Sequence, residues 1–354
     1  MNFFEQQHQA RRHTTRLVIL MIFALLTMIA LISLPFVFSS IDKYLSGTGT
    51  LKDALQALAI VAASVSGVVL IGGLVKYWQL RAGGKVVAQK LGGRLINDNA
   101  HTPDERRLMN VVEEMAIASG TLVPAVYLLP DESINAFAAG FTPEDAAIGI
   151  TQGAVSLLTR DELQGVIAHE FSHIFNGDMR LNTQLVAAVH GLLVLGLAGT
   201  LILVALVKAN MNNKPRKKDK DDKNEFVLMC IALFVGVVLF VGGFLGTFFA
   251  SLIKAAVSRQ REFLADASAV QYTRNPQSIV GALKKIATHT QGSTISASGA
   301  SEFSHLYFST GVSNPLSRLF ATHPNLSERI RRIDPQWDGS FAPVEKVEAA
   351  LERG

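Results

Sequence analysis

Thr159 to Arg180 reads TRDELQGVIAHEFSHIFNGDMR, and the rest of the chain is best read outward from it. Thr159 is a helix-capping residue type, and Glu162 three residues on completes a capping box. Leu163, Val166, Ile167, Phe171 and Ile174 then recur at helical spacing. On that helix His169 and His173 lie one above the other on a single face. Two neutral imidazoles so placed can both reach one zinc ion. Glu170 stands beside the first, where it can take a proton from a water that the ion activates. The plainer reading is a partly buried polar face with no metal. That the spacing falls on a well-capped helix favours the metal.

The chain has 354 residues, of which 49% are hydrophobic. A mean hydropathy of +0.29 is too apolar for an ordinary soluble protein and points to membrane spans. The net charge of +4 is a modest basic excess that calls for no nucleic-acid partner. In a membrane protein such residues gather in loops on the cytoplasmic side. Cys230 is the only cysteine, so no intrachain disulfide is possible and a metal site must use histidines and carboxylates.

Residues 1–16 are polar and carry Arg11, Arg12 and Arg16. Leu17 to Ile41 is free of charge, long enough to span a bilayer and too long for a cleaved signal peptide. Ala54 to Val75 is a second such run, and the two make a transmembrane hairpin. The basic stretch 76–94 reads as cytoplasmic. An amphipathic helix from Pro103 to about Ser119 follows. Strands are expected over Val123–Leu129, Ile134–Ala138 and Ala146–Thr151. Leu181 to Val207 and Phe226 to Leu252 are a third and a fourth apolar run. The Lys-, Asp- and Asn-rich stretch 208–225 between them reads as a disordered loop, and 291–304 as mobile. The expected organisation is a first segment and hairpin (1–78), one part of a soluble domain (79–180), a second hairpin (181–253) and the other part (254–354). Roughly two hundred soluble residues suffice for one core.

A hydrolytic zinc site needs three protein ligands and an open position. The best candidate for the third is Glu262, in Ser258-Arg259-Gln260-Arg261-Glu262-Phe263-Leu264-Ala265-Asp266. Asp266, one turn on, can orient a ligand histidine. A solvated charged helix face is the plainer account of both. Asp178 competes, but a continuing helix would carry it about 140° off the histidine face. Glu162 is two turns from His169, and Glu225 lies at the far end of a membrane run. Glu262 follows the fourth run at nearly the spacing by which His173 precedes the third. The acidic and basic residues around the motif, with no acid in any membrane run, place the site at the membrane surface rather than inside the bilayer.

With these residues in view, the sequence resembles the HtpX and CAAX-prenyl-protease family of membrane zinc metallopeptidases. The motif His169-Glu170-Phe171-Ser172-His173, with Asn176 and Asp178 and then Glu262 and Asp266, carries the resemblance. Asn135-Ala136-Phe137-Ala138 resembles the family's edge-strand motif, and Thr322-His323-Pro324 followed by Arg329 its C-terminal motif. Four apolar runs look more like HtpX than the prenyl proteases, which have more. The resemblance spans about residues 15–333, and 208–225 and 291–304 match nothing in it.

It implies a mainly α membrane protein. Four transmembrane helices would accompany a discontinuous α+β zincin-like (gluzincin) domain with a small β-sheet. The implied activity is zinc-dependent endoproteolysis, with one Zn2+ per chain on His169, His173 and Glu262 and Glu170 as general base. His323 is then the candidate oxyanion donor, with Arg329 second; a helix-start residue before Pro324 is its plainer reading. Asp266 and Asp178 would stand behind the ligands. Asn135, Ala136, Phe137, Ala138 and Arg329 would bind substrate along a strand edge. The implied partners are the lipid bilayer and polypeptides, chiefly membrane or misfolded proteins in quality control. The implied location is a bacterial inner membrane with the protease domain facing the cytoplasm. The alternative is a zinc-stabilised scaffold that holds clients without cutting them, and Glu170 speaks against it, since a structural site needs no base.

Overall fold

The computed structural model describes residues 41–81, 83–212, 222–289, 308 and 320–341, with scattered positions between 12 and 40. The first apolar run is described at scattered positions and over 37–41, all of them helical, while the stretch 291–304 and the tail after Phe341 lie outside the described residues. Two compact units are present: Met1–Thr15, Leu80–Thr183 and Lys254–Gly354 form one, and Arg16–Gln79 with Gln184–Ile253 the other.

In the second unit glycines let the helices approach closely around an apolar cluster of Val65, Leu192, Leu195, Leu239 and Ala250. Among the described residues three helices are long and apolar enough to cross a membrane: α1 (Leu51–Leu80), Asp178–Met211 and Phe226–Thr273. A Cβ on Gly191 would lie 2.4 Å from the Val69 carbonyl oxygen, and one on Gly199 2.3 Å from the Phe240 nitrogen. Backbones that close leave no room for side chains, which is how helices pack where lipid removes the hydrophobic drive.

The first unit contains a four-stranded sheet. Helix α2 (Gly83–Lys90) precedes β1 (Arg94–Leu95), and α3 (Pro103–Ser119) leads to β2 (Ala125–Leu129), β3 (Ala136–Ala139) and β4 (Ala147–Thr151). The strand order is β1-β2-β4-β3, with β2 and β4 parallel and the other two pairs antiparallel. The alternation of strand side chains sorts them between two cores. Val126, Leu128, Ala136, Ala138, Ile148 and Ile150 join the larger cluster. Tyr127, Leu129, Phe137, Ala139 and Ala147 pack with Ala88 and Leu91 on the opposite face. Being last in the sheet, β3 has an edge.

Helices α4 (Gln152–Leu157) and α5 (Arg160–Phe175) follow, then α6 (Asp178–Asn212), α7 (Asp222–Thr273), α8 (Pro276–Thr288) and α9 (Leu326–Ile333). The charged stretch expected as loop over 208–225 is helical at both ends, and only 213–221 lies outside the described residues. Extending a nucleated helix costs little, and Lys and Ala are good helix formers.

Candidate metal centre

Helix α5 is fixed at its start by the capping box: Glu162 N–H donates to Thr159 Oγ1 at 3.3 Å, and Thr159 N–H to Glu162 Oε2 at 2.8 Å. Gly165 sets its distance from α8, for a Cβ there would lie 2.7 Å from the Ile279 nitrogen. Buried Leu163, Val166, Ile167, Phe171 and Ile174 anchor one side in the larger core. The same helix holds His169 and Glu170 at no more than 1% exposure. From α7, Glu262 reaches the same point.

Three donor atoms converge there. His169 Nε2 and His173 Nε2 are 3.1 Å apart, and Glu262 oxygens lie 3.6 Å from the first and 3.5 Å from the second. Corners of a tetrahedron around zinc, at about 2.0–2.1 Å from the metal, are spaced at about 3.3 Å. The donor set therefore fits a zinc ion in both chemistry and spacing. Both imidazoles turn their other nitrogen to a carboxylate: His169 Nδ1 is 3.0 Å from Asp266 Oδ1, and His173 Nδ1 is 2.9 Å from Asp178 Oδ2. A carboxylate beside each Nδ1 favours the tautomer with its proton there, which leaves each Nε2 a lone pair for a metal.

The local electrostatics favour a cation. Burial alone would lower the proton affinity of both imidazoles. The Asp178 and Glu262 carboxylates outweigh it at His173 and hold that ring well above the usual histidine range. Asp266 and Glu262 raise His169 in the same way. Glu170 differs: burial pushes its carboxyl up, and the neighbouring histidines only partly oppose this. Neither of its carboxylate oxygens has a hydrogen-bond partner among the described residues.

Asp178 stands behind His173, as the resemblance implies, but by a different path from a continuing helix. The helix does not continue through it. It ends at Phe175, and Gly177 takes φ of 66° before α6 begins. That turn brings Asp178 back to His173, where it also meets Arg261 Nη1 at 3.1 Å. Its carboxylate thus holds an imidazole, and the 140° offset does not arise.

His323 Nδ1 lies 3.0 Å from Glu262 Oε2, although out of line for a hydrogen bond. Arg329, from α9, is fully buried and grips Asp266 through Nε at 2.8 Å and Nη2 at 2.7 Å. The guanidinium thus backs the carboxylate that backs His169. Asn135 and Phe137 turn their main chain towards β4, as the 3.1 Å bond from Thr151 N–H to the Asn135 carbonyl shows, leaving Ala136 facing outward. The edge is not bare. Phe308 N–H donates to the Ala136 carbonyl at 2.9 Å, so the exposed strand edge expected from the sequence is already engaged at that residue. Phe308 was not foreseen, because nothing in local spacing ties it to a strand so far away in the chain.

Residues 103–336 match Peptidase family M48. The chain belongs to that family. It is 39% identical over 226 residues to the Protease HtpX homolog of Dictyoglomus turgidum, covering 64% of this chain and 68% of that protein. The Protease HtpX homolog of Streptococcus gordonii is 35% identical over 258 residues, 70% of this chain and 78% of that protein. The crystal structure of S. mikatae Ste24p aligns with a TM-score of 0.39 and 16% identity over 80% of this chain and 66% of that one. M48 membership and the HtpX homologues, with the three apolar helices, make the chain a membrane metalloprotease acting on polypeptides. The family implies a metal, typically zinc.

For an M48 chain with this geometry, Asp266→Ala should weaken zinc binding by about 10–100-fold while leaving the three donor residues in place. Competition with a chromogenic chelator measures it, and unaltered affinity would mean that Asp266 only anchors Arg329.

Proposed function

We propose that the chain is a zinc-dependent endopeptidase that cuts polypeptides at a membrane surface. In this reading His169, His173 and Glu262 hold one zinc ion and Glu170 is the general base. The observation that carries it is the convergence of three correctly spaced donor atoms beside a buried Glu170 whose oxygens have no hydrogen-bond partner among the described residues. When bound, zinc supplies a Lewis acid that polarises a peptide carbonyl and acidifies water. Glu170 takes the proton and later delivers it to the leaving amine. Burial raises its proton affinity, which suits a base that must also act as an acid near neutral pH. His323 and then Arg329, 3.0 and 3.5 Å from Glu262 Oε2, are the candidate donors to the substrate oxygen. Asp266 and Asp178 keep the imidazoles in one tautomer, and the β3 edge at Asn135–Ala138 takes the substrate main chain.

We place the enzyme in a bacterial inner membrane with the protease unit facing the cytoplasm, and its task in the turnover of damaged membrane proteins. The basic residues at 11–16 and 76–94 support that orientation. The seven Lys and Arg of 208–225 pull the other way if the third and fourth runs both cross. A cysteine at Asn212, in a variant whose Cys230 is replaced, should be labelled from outside by an impermeant maleimide. Labelling only from the cytoplasm would mean that these runs form a hairpin that does not cross.

Metal content together with casein cleavage separates the enzyme from a zinc-stabilised scaffold. The proposal expects about one zinc per chain and cleavage products. Bound zinc without cleavage would leave the scaffold standing.

A further inference from the structure

Phe308 makes main-chain contacts of the kind a bound peptide residue would make. Its N–H donates to the Ala136 carbonyl at 2.9 Å and to Asn135 Oδ1 at 3.0 Å. Its carbonyl accepts from Arg329 Nη1 at 2.9 Å. Both backbone groups are thus satisfied by an outward-facing strand carbonyl, an amide and a buried guanidinium. The ring stands edge-on to His169 with centroids 4.8 Å apart, and the Arg329 guanidinium lies 4.5 Å above it. It is 1% exposed.

An extended polypeptide laid along β3 would present the same N–H to the same acceptors, because a strand edge binds main chain irrespective of sequence. Specificity then comes from the pocket that the side chain enters. Here its walls are the His169 ring and the face of Arg329, surfaces that suit an aromatic or large aliphatic side chain. Contact with a proposed metal ligand puts this residue in the wall of the metal centre.

We propose that the Phe308 position is a substrate subsite for a large apolar residue beside the metal centre, occupied in cis by the chain's own Phe308. The proposal rests on the endopeptidase reading of the metal centre. Substrate must displace Phe308 to reach Ala136, Asn135 and Arg329, so the two compete. A cis occupant that holds the site about nine-tenths of the time weakens apparent substrate affinity about tenfold.

The test uses the full-length, zinc-loaded Glu170→Gln protein in detergent and a short fluorescein-labelled peptide with one central phenylalanine. Anisotropy gives its affinity and that of a counterpart with glycine at the centre. Phe308→Ala should tighten binding of the phenylalanine peptide about tenfold and of the glycine peptide less. Phe308→Leu keeps the core filled and should shift affinity in the same direction by less; that arm stands even if the alanine variant does not fold. Unaltered or weaker binding in the folded variants would overturn the proposal and make Phe308 a packing residue behind Arg329. Cleavage is followed in parallel with Glu170 restored. Tighter binding without cleavage by any protein would sink the endopeptidase reading and leave the cis occupancy standing. Cleavage by the parent with no change in affinity would sink the occupancy alone.

Discussion

Glu170→Gln retains its zinc and loses peptide hydrolysis, with kcat down by about 10²–10⁴-fold, the usual contribution of a positioned base. The substitution keeps the side chain's size and removes its capacity to accept a proton. It also removes a charge that burial disfavours, so the folded protein should be no less stable than the parent. Metal analysis and steady-state cleavage of an unfolded substrate check both halves. Near-parental kcat in a zinc-replete variant would take the base assignment away from Glu170. Loss of zinc along with activity would mean that Glu170 had been a ligand.

Glu262→Ala loses most of its bound zinc and with it all hydrolysis. Two neutral imidazoles leave a hydrolytic zinc site one protein ligand short, and the carboxylate also offsets part of the ion's charge. The fall in affinity should exceed the about 10–100-fold expected for an outer partner such as Asp266. The two variants side by side thus rank a ligand against the group behind a ligand. Full zinc occupancy in a folded Glu262→Ala protein would show that another carboxylate completes the site. Asp178, 2.9 Å from His173 Nδ1, would be next to examine.

Much of this was legible because it is local. Thr159 and Glu162 announce the start of α5, and the three-and-four spacing of Leu163 to Ile174 announces the face it buries. The alternating strands β2 and β4 fall within two residues of the stretches read from sequence. Charge-free runs gave the long apolar helices in the same way. What escaped depends on direction and long-range contact. One glycine with positive φ, Gly177, reverses the path that a helix would have taken and returns Asp178 to His173. The grip of Arg329 on Asp266 joins residues 63 apart, and that of Phe308 on Asn135 joins residues 173 apart. Local periodicity records neither. Without the family resemblance, Glu262 is reached from sequence by eliminating other acids and comparing distances from apolar runs.

The central claim is that one zinc ion at His169, His173 and Glu262 makes this chain a peptidase. Its most direct test is a zinc titration of chelator-stripped, full-length protein, with cleavage of an unfolded polypeptide followed at each step. The stripped protein should show no cleavage, and activity should return linearly and saturate at about one equivalent of zinc per chain. Cleavage that survives stripping, or one tightly bound zinc that restores none, would contradict it.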